Sequence, residues 1–354
     1  MEKKKYHNIE FLRILFALLI VYFHILHSNI MGYVGENEIY HSLAKLCNDA
    51  GIIVECFFIM SGYFLYQSYI NKPETSVLQF TLKKIFRLLP VLLFSLVICV
   101  FFFNHRLEPA LFNGLFLQCI GFSLEYKGIN WYISPLFWVS IFYFVLLKTT
   151  DYKKANFSIA VITYISYVVL VNITFGRETI YGFLCLGVVR ALAGIGLGYL
   201  IGLVLQELKK VRIVNWGGHS QLQYIVVSII EIVTLWYLLK WFLFGKSYAN
   251  SFIVIIIFSI LFICFIKGKG LLSQLLDKMI FSAFGRYAYS IYVMQQVAFY
   301  ILQRTLWRTA IVGNVSLCLF VSLVFCTFVG VLTYHLVEQP CAKLYAKLKF
   351  ECNE

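Results

Sequence analysis

Ten stretches of mostly apolar residues, each close to the roughly 20 that a membrane-spanning helix needs, recur along this chain of 354 residues. They cover about 9–28, 51–71, 85–104, 131–149, 157–175, 181–206, 222–244, 250–267, 281–303 and 311–336. Between them there is little room for anything else. Hydrophobic residues make up 61% of the chain and charged residues 13%, against about 25% charged in soluble domains. Mean hydropathy is +0.81, and so apolar a chain cannot hide its surface from water by folding alone. Aromatic residues at 18% suit lipid-facing walls and interfacial belts. With 5 Pro and no Ser/Gly-rich tract, linkers are not expected. The expected fold is all-α, a single polytopic integral membrane domain over 1–354.

Charge sets the expected orientation. Met1–Lys5 is basic, but the apolar run after it carries Arg13 and His24 and lacks a small-residue cleavage site. It reads as a first span rather than a removable signal. A short apolar segment, 109–122, is ambiguous. If it does not cross, 18 of the 30 Lys and Arg fall on the N-terminal side, 7 on the other, and five lie within or at the edges of spans. If it crosses, the cluster at 148–154 changes sides and the bias vanishes. The positive-inside rule therefore favours ten spans with both termini cytoplasmic and 109–122 re-entrant or interfacial. The net charge of +13 is this loop bias, and nucleic acid is not an expected partner. The ten cysteines lie mostly inside apolar runs and show no CxxC spacing, so neither a metal site nor a disulfide framework is expected.

Ionisable groups inside a bilayer cost about 2.5–3.5 kcal/mol each on insertion scales, so each needs a reason. Arg13 and His24 are eleven residues apart on the first span. Eleven steps of 100° return to within about 20°, so the two share one face about 16 Å apart along the axis. Arg13 sits near the cytoplasmic boundary and His24 past the middle, with His27 close to the same face. Taken singly, Arg13 can snorkel to headgroups and His24 can be a packing residue. Taken together, they form a stripe able to grip a phosphorylated donor with a guanidinium and to move a proton deeper in the membrane.

Other polar positions leave two readings each. Glu55 can pair with His24 or His27, or stand as a hydrated interfacial carboxylate. Ser61-Gly62-Tyr63 can be a packing seam or part of a site. Lys83, Lys84 and Arg87 at the mouth of the third span can mark topology or anionic lipid, or complete a phosphate cradle with Arg13. Arg190 and Glu231 are both mid-span and can pair with each other.

In order along the chain, these residues resemble the acyltransferase-3 family, membrane acyltransferases that O-acylate bacterial surface polysaccharides. Arg13-x10-His24 is similar to its first signature, Phe57-Phe58-x-x-Ser61-Gly62-Tyr63 to its FFxxSGF stretch, and Lys83-Lys84-x-x-Arg87-x-x-Pro90 to its RRxxRxxP. The Arg190 helix with Gly194 and Gly198 resembles its arginine- and glycine-bearing span. Gly285-Arg286-Tyr287-Ala288-Tyr289-Ser290-Ile291-Tyr292 and Tyr334-His335-Leu336-Val337-Glu338-Gln339-Pro340 resemble its two C-terminal signatures. Two departures remove ionisable groups: Trp131 to Trp138 holds no Glu where the family usually has one, and Gln295 stands where a His is often found. A second acid/base at those places is not expected.

The resemblance implies an acyl-CoA-dependent O-acyltransferase of the cytoplasmic membrane, with acetyl-CoA or another short acyl-CoA as donor. The acceptor would be an envelope glycan or lipid-linked glycan. Arg13, Lys83, Lys84 and Arg87 would hold the donor phosphates. His24 would act as general base or carry the acyl group, Arg190 and Tyr63 would polarise the thioester, and Glu55 with the 105–130 loop would face the acceptor. No extracellular hydrolase-like domain follows the last span, which implies direct transfer or hand-off to a separate extracellular protein. A transporter or flippase of polysaccharide precursors, or a membrane scaffold, would also place polar groups in the bilayer. Neither would consume acyl-CoA.

Overall fold

In the computed structural model the described residues are 6–28, 38, 42–43, 50–119, 129–173, 179–180, 184–210, 220–245, 251–309 and 313–351. Helices dominate. α1 (His7–Leu26), α2 (Gly51–Asn71) and α3 (Val77–Phe103) are followed by the short α4 (Leu107–Gly114). A 3₁₀ turn, Ile129–Tyr132, leads into α5 (Ile133–Thr149), then α6 (Tyr152–Ile173) and α7 (Leu186–Lys210). α8 (Ser220–Phe244) and α9 (Ser251–Lys267) precede two short helices, α10 (Leu271–Leu275) and α11 (Met279–Gly285). α12 (Ala288–Arg304), α13 (Val315–Thr333) and α14 (Gln339–Glu351) complete the chain. The all-α expectation holds, with one minimal exception: Thr179–Ile180 pairs antiparallel with Leu184–Cys185 just before α7.

Eight helical stretches are long and apolar enough to cross a membrane. α9 is as apolar but has 17 residues, and α12 also has 17. The expected span 281–303 is broken, because the helix restarts at Ala288 after α11 ends at Gly285. Of the ambiguous 109–122 segment, residues 109–114 belong to α4, eight residues long. That is about 12 Å of helix, far short of a bilayer core. α4 ends at Leu115 and Phe116, where the Phe116 carbonyl accepts from Ser134 Oγ at 2.5 Å and Trp138 Nε1 at 2.9 Å. Residues 120–128 lie outside the described set, as do Met1–Lys5.

α1 runs through the middle of the bundle and packs against α2, α9, α11, α12 and α13. Its buried positions, Ile9, Leu12, Phe16, Ile20, Val21 and Ile25 among them, cover most of its circumference, while Phe11, Leu15, Leu18 and Tyr22 form a half-buried face. α2 and α7 form the closest pair. A Cβ at Gly62 would lie 1.9 Å from the Ile195 carbonyl oxygen, and one at Gly198 would lie 1.9 Å from that of Ile59. The Ser61-Gly62 step is thus the packing seam that lets two backbones touch.

Hydrogen bonds between helix ends fix which termini share an end of the bundle. Lys148, near the end of α5, donates to the Pro73 carbonyl between α2 and α3, and Tyr69 donates to the Leu147 carbonyl. The end of α5 therefore lies at the end of the bundle where α3 begins. Tyr132, at the start of α5, comes from the opposite end. Arg304, at the end of α12, donates to the Phe102 carbonyl at 2.9 Å, so α12 finishes where α3 finishes.

Candidate active site

Arg13 does not stand alone. Its Nη1 bonds both carboxylate oxygens of Glu10, three residues earlier on α1, at 2.9 Å, with side-chain exposures of 19% and 24%. Glu10 is pressed against the end of α11: a Cβ at Gly285 would lie 2.4 Å from Glu10 Oε2 and 2.7 Å from its carbonyl oxygen. Only glycine permits that approach.

Arg87 of α3 faces the same place. It interacts electrostatically with Arg13, Glu338, Glu10 and Tyr132, and Glu338 in turn faces both Arg87 and Arg13. Glu338 is positioned by an unusual turn. Between α13 and α14 the helix widens over Tyr334–Glu338, where the Gln339 N–H bonds the Tyr334 carbonyl five residues back. Such π turns occur often at functional sites. The extra residue rotates Glu338 inward, where its Oε2 accepts from Ser290 Oγ at 2.5 Å. One helical turn away, Tyr287 bonds His335 Nε2 at 3.2 Å and accepts from Arg286 at 3.0 Å. The two C-terminal motifs thus meet.

Two phenols complete the cluster. Tyr132 interacts with Arg13, Arg87 and Glu338, and its ring lies edge-on to Tyr292 at 4.6 Å and near Phe57 and Phe58. Tyr289 donates to the Leu88 carbonyl and interacts with Tyr132, Glu338 and Arg87. Arg87 remains exposed although groups from α1, α5 and the π turn surround it, which describes a recess. Two guanidiniums balanced by two carboxylates can exchange one anion for another. Arg13 and Arg87 are suited to phosphate by charge and fork geometry. Lys83 lies exposed at the rim, and half-buried Lys84 sets its ammonium 5.5 Å from the Phe80 ring centre, beside Arg87. Of the expected cradle, Arg13 and Arg87 face each other, Lys84 lies beside Arg87 and Lys83 beside Lys84.

The other expected site residues go elsewhere. Arg190 bonds Glu55 through Nε at 2.5 Å, with side-chain exposures of 3% and 1%. Its Nη2 donates to the Gly51 carbonyl at 2.8 Å, and its guanidinium lies 4.9 Å from the Trp131 ring centre. This corrects two expectations. Arg190 pairs with Glu55 and not with Glu231, and Glu55 is held by Arg190 across the α2–α7 seam instead of standing at a hydrated interface. Glu231 is fully buried against the α9–α10 turn, where its Oε2 accepts the Ser273 N–H at 3.1 Å. There it caps the start of α10. Tyr63 shares a hydrogen bond with Tyr6 at 3.1 Å, beside the start of α1 and against Phe262.

His24 is half-buried near the end of α1 with its ring 5.2 Å from that of Phe23. His27 stacks on Phe23 and bonds its carbonyl oxygen at 2.9 Å. Between Arg13 and His24, on the face they share, Ala17 is 0% exposed and Ile20 is 1%. The strip of α1 joining them is closed in this conformation. At the end of α3, burial beside Tyr300 holds the His105 imidazole below its ordinary pKa. Among the described residues no three potential metal ligands gather.

Sequence reasoning named Arg13 and Arg87 but missed Glu10, Glu338, Tyr132, Tyr289 and Ser290 as members of the same recess. The available signals were Glu10 at i−3 from Arg13 and the Ser290 and Glu338 of the two C-terminal motifs.

The fold and this recess define a multi-pass membrane protein with a charged centre inside its helical bundle. Residues 6–336 match the family described as an acyltransferase domain, so the chain belongs to the acyltransferase-3 family and is a membrane acyltransferase. No curated protein and no solved structure matches it.

Proposed function

We propose that the protein transfers a short acyl group, acetyl in the simplest reading, from cytoplasmic acyl-CoA to a hydroxyl of an envelope carbohydrate across the cytoplasmic membrane. One observation carries the donor half: Arg13 and Arg87, on different helices, converge with Glu10 and Glu338 in an accessible recess. That recess lies near the start of α1, the end that charge bias assigns to the cytoplasm. A CoA phosphate entering it would displace Glu10 or Glu338 from the arginines. Charge-assisted bonds are about twice as strong as neutral ones.

The acceptor half rests on His24, toward the other end of the same helix. An imidazole there can take the proton of an acceptor hydroxyl as it attacks the thioester carbon. The C–S bond then breaks, and CoA leaves as its thiol after protonation. If His24 carries the acyl group instead, its ring nitrogen attacks first and the hydroxyl second. Because Ala17 and Ile20 are buried between the two sites, delivery of the thioester requires that this face of α1 open. The Arg190–Glu55 pair positions α2 and α7 behind Trp131 and takes no direct part in this scheme.

Membranes containing the protein, incubated with acetyl-CoA labelled in the acyl group, test the reading. Label is expected to enter envelope glycan with the wild type and to fall at least 100-fold with His24→Ala, in line with general-base contributions. A flippase or scaffold would consume no label, and full transfer by His24→Ala would remove its catalytic role.

A further inference from the structure

Asn130 and Gln295 are respectively 1% and 0% exposed, and none of their four side-chain amide atoms has a hydrogen-bond partner. Buried polar groups are almost always satisfied, and each one left unmet destabilises the fold. An apolar residue of similar size would avoid the penalty in either place. Two such amides close together therefore call for something that is to be bound.

They lie on elements that touch. The Ile129–Tyr132 turn packs directly on α12, and the Tyr292 hydroxyl donates to the Ile129 carbonyl. Gln295 is three residues, one turn, beyond Tyr292, and Asn130 is next to Ile129. Their height in the bundle follows from helix rise. α1 and α12 start together, with Gly285 against Glu10. At 1.5 Å per residue, Gln295 lies about 10 Å above the start of α12 at Ala288, while Arg13 and His24 lie about 5 Å and 21 Å above Glu10. The two amides thus occupy the interval between the arginine recess and the imidazole, Gln295 about level with Ala17.

We infer that Asn130 and Gln295 bind the pantetheine arm of the donor through amide-to-amide hydrogen bonds. This deepens the function proposed above and rests on it. An acyl-CoA carries phosphates at one end, a thioester at the other, and two amides along the arm between them. Each amide offers one N–H and one carbonyl, and each protein side chain offers the complement. The arm, entering as the α1 face opens, satisfies the four atoms that the closed conformation leaves unmet. The same bonds select a pantetheine thioester over a simple acyl phosphate.

The test compares two ligands on the purified full chain: CoA, and 3′-phosphorylated ADP, which is the same nucleotide without the arm. In the wild type CoA is expected to bind more tightly. Gln295→Leu and Asn130→Ala should each weaken CoA about tenfold, leave the nucleotide unchanged, and keep or raise the melting temperature, since neither removes an existing side-chain bond. Unchanged CoA affinity in both variants overturns the inference. So does a raised acceptor KM with CoA affinity intact, which would make these residues an acceptor subsite. A wild type that binds neither ligand instead overturns the donor reading on which the inference stands.

Discussion

Arg190 shows how far a single residue can be read from sequence. Its depth in a span announces that it must be compensated, but the choice between Glu55 and Glu231 depends on which helices touch. The α2–α7 seam decides it, because Gly62 and Gly198 let the two backbones meet and carry Glu55 to within 2.5 Å of Arg190. Breaking such a buried pair leaves an uncompensated charge at about 3–5 kcal/mol. Glu55→Gln and Arg190→Leu are therefore each expected to lower thermal stability sharply in detergent. The double replacement should recover a good part of it. Lost transfer at unchanged melting temperature would instead return both residues to the catalytic set. Arg13 and His24 were legible because one helix carries both and its period is known. Glu338 and Arg87 were not, since their meeting depends on long-range packing.

At the scale of elements, the π turn at Tyr334–Glu338 and the break between α11 and α12 bring the recess together. Neither follows from apolar periodicity, which runs smoothly through 311–336 and 281–303. The broken span follows from Gly285 closing on Glu10, and the wide turn places Glu338 against Ser290. Glu338→Gln keeps the turn and the reach to Ser290 while removing one of the two charges that a donor phosphate must displace. A folded protein that binds CoA at least as tightly as the wild type is the expected result, read by size-exclusion profile and binding assay. CoA affinity lowered tenfold in a folded Glu338→Gln would contradict the view that this carboxylate competes with the donor for the arginines.

For the whole molecule, length and hydropathy made the all-helical membrane architecture legible, and within the short 109–122 segment the helix ends at Gly114. What stayed hidden was that packing would cover α1 between Arg13 and His24, so that its polar stripe is closed there. Its two ends join only when that enclosed strip opens, and the site is thus a property of the bundle. The central claim is that the recess at Arg13 and Arg87 holds the donor's phosphates. It is tested most directly by calorimetric titration of CoA into the purified protein and into Arg87→Ala. Saturable binding by the wild type, weakened at least tenfold in a variant that keeps its melting temperature, is the predicted result. Equal affinity in the two proteins would contradict the account.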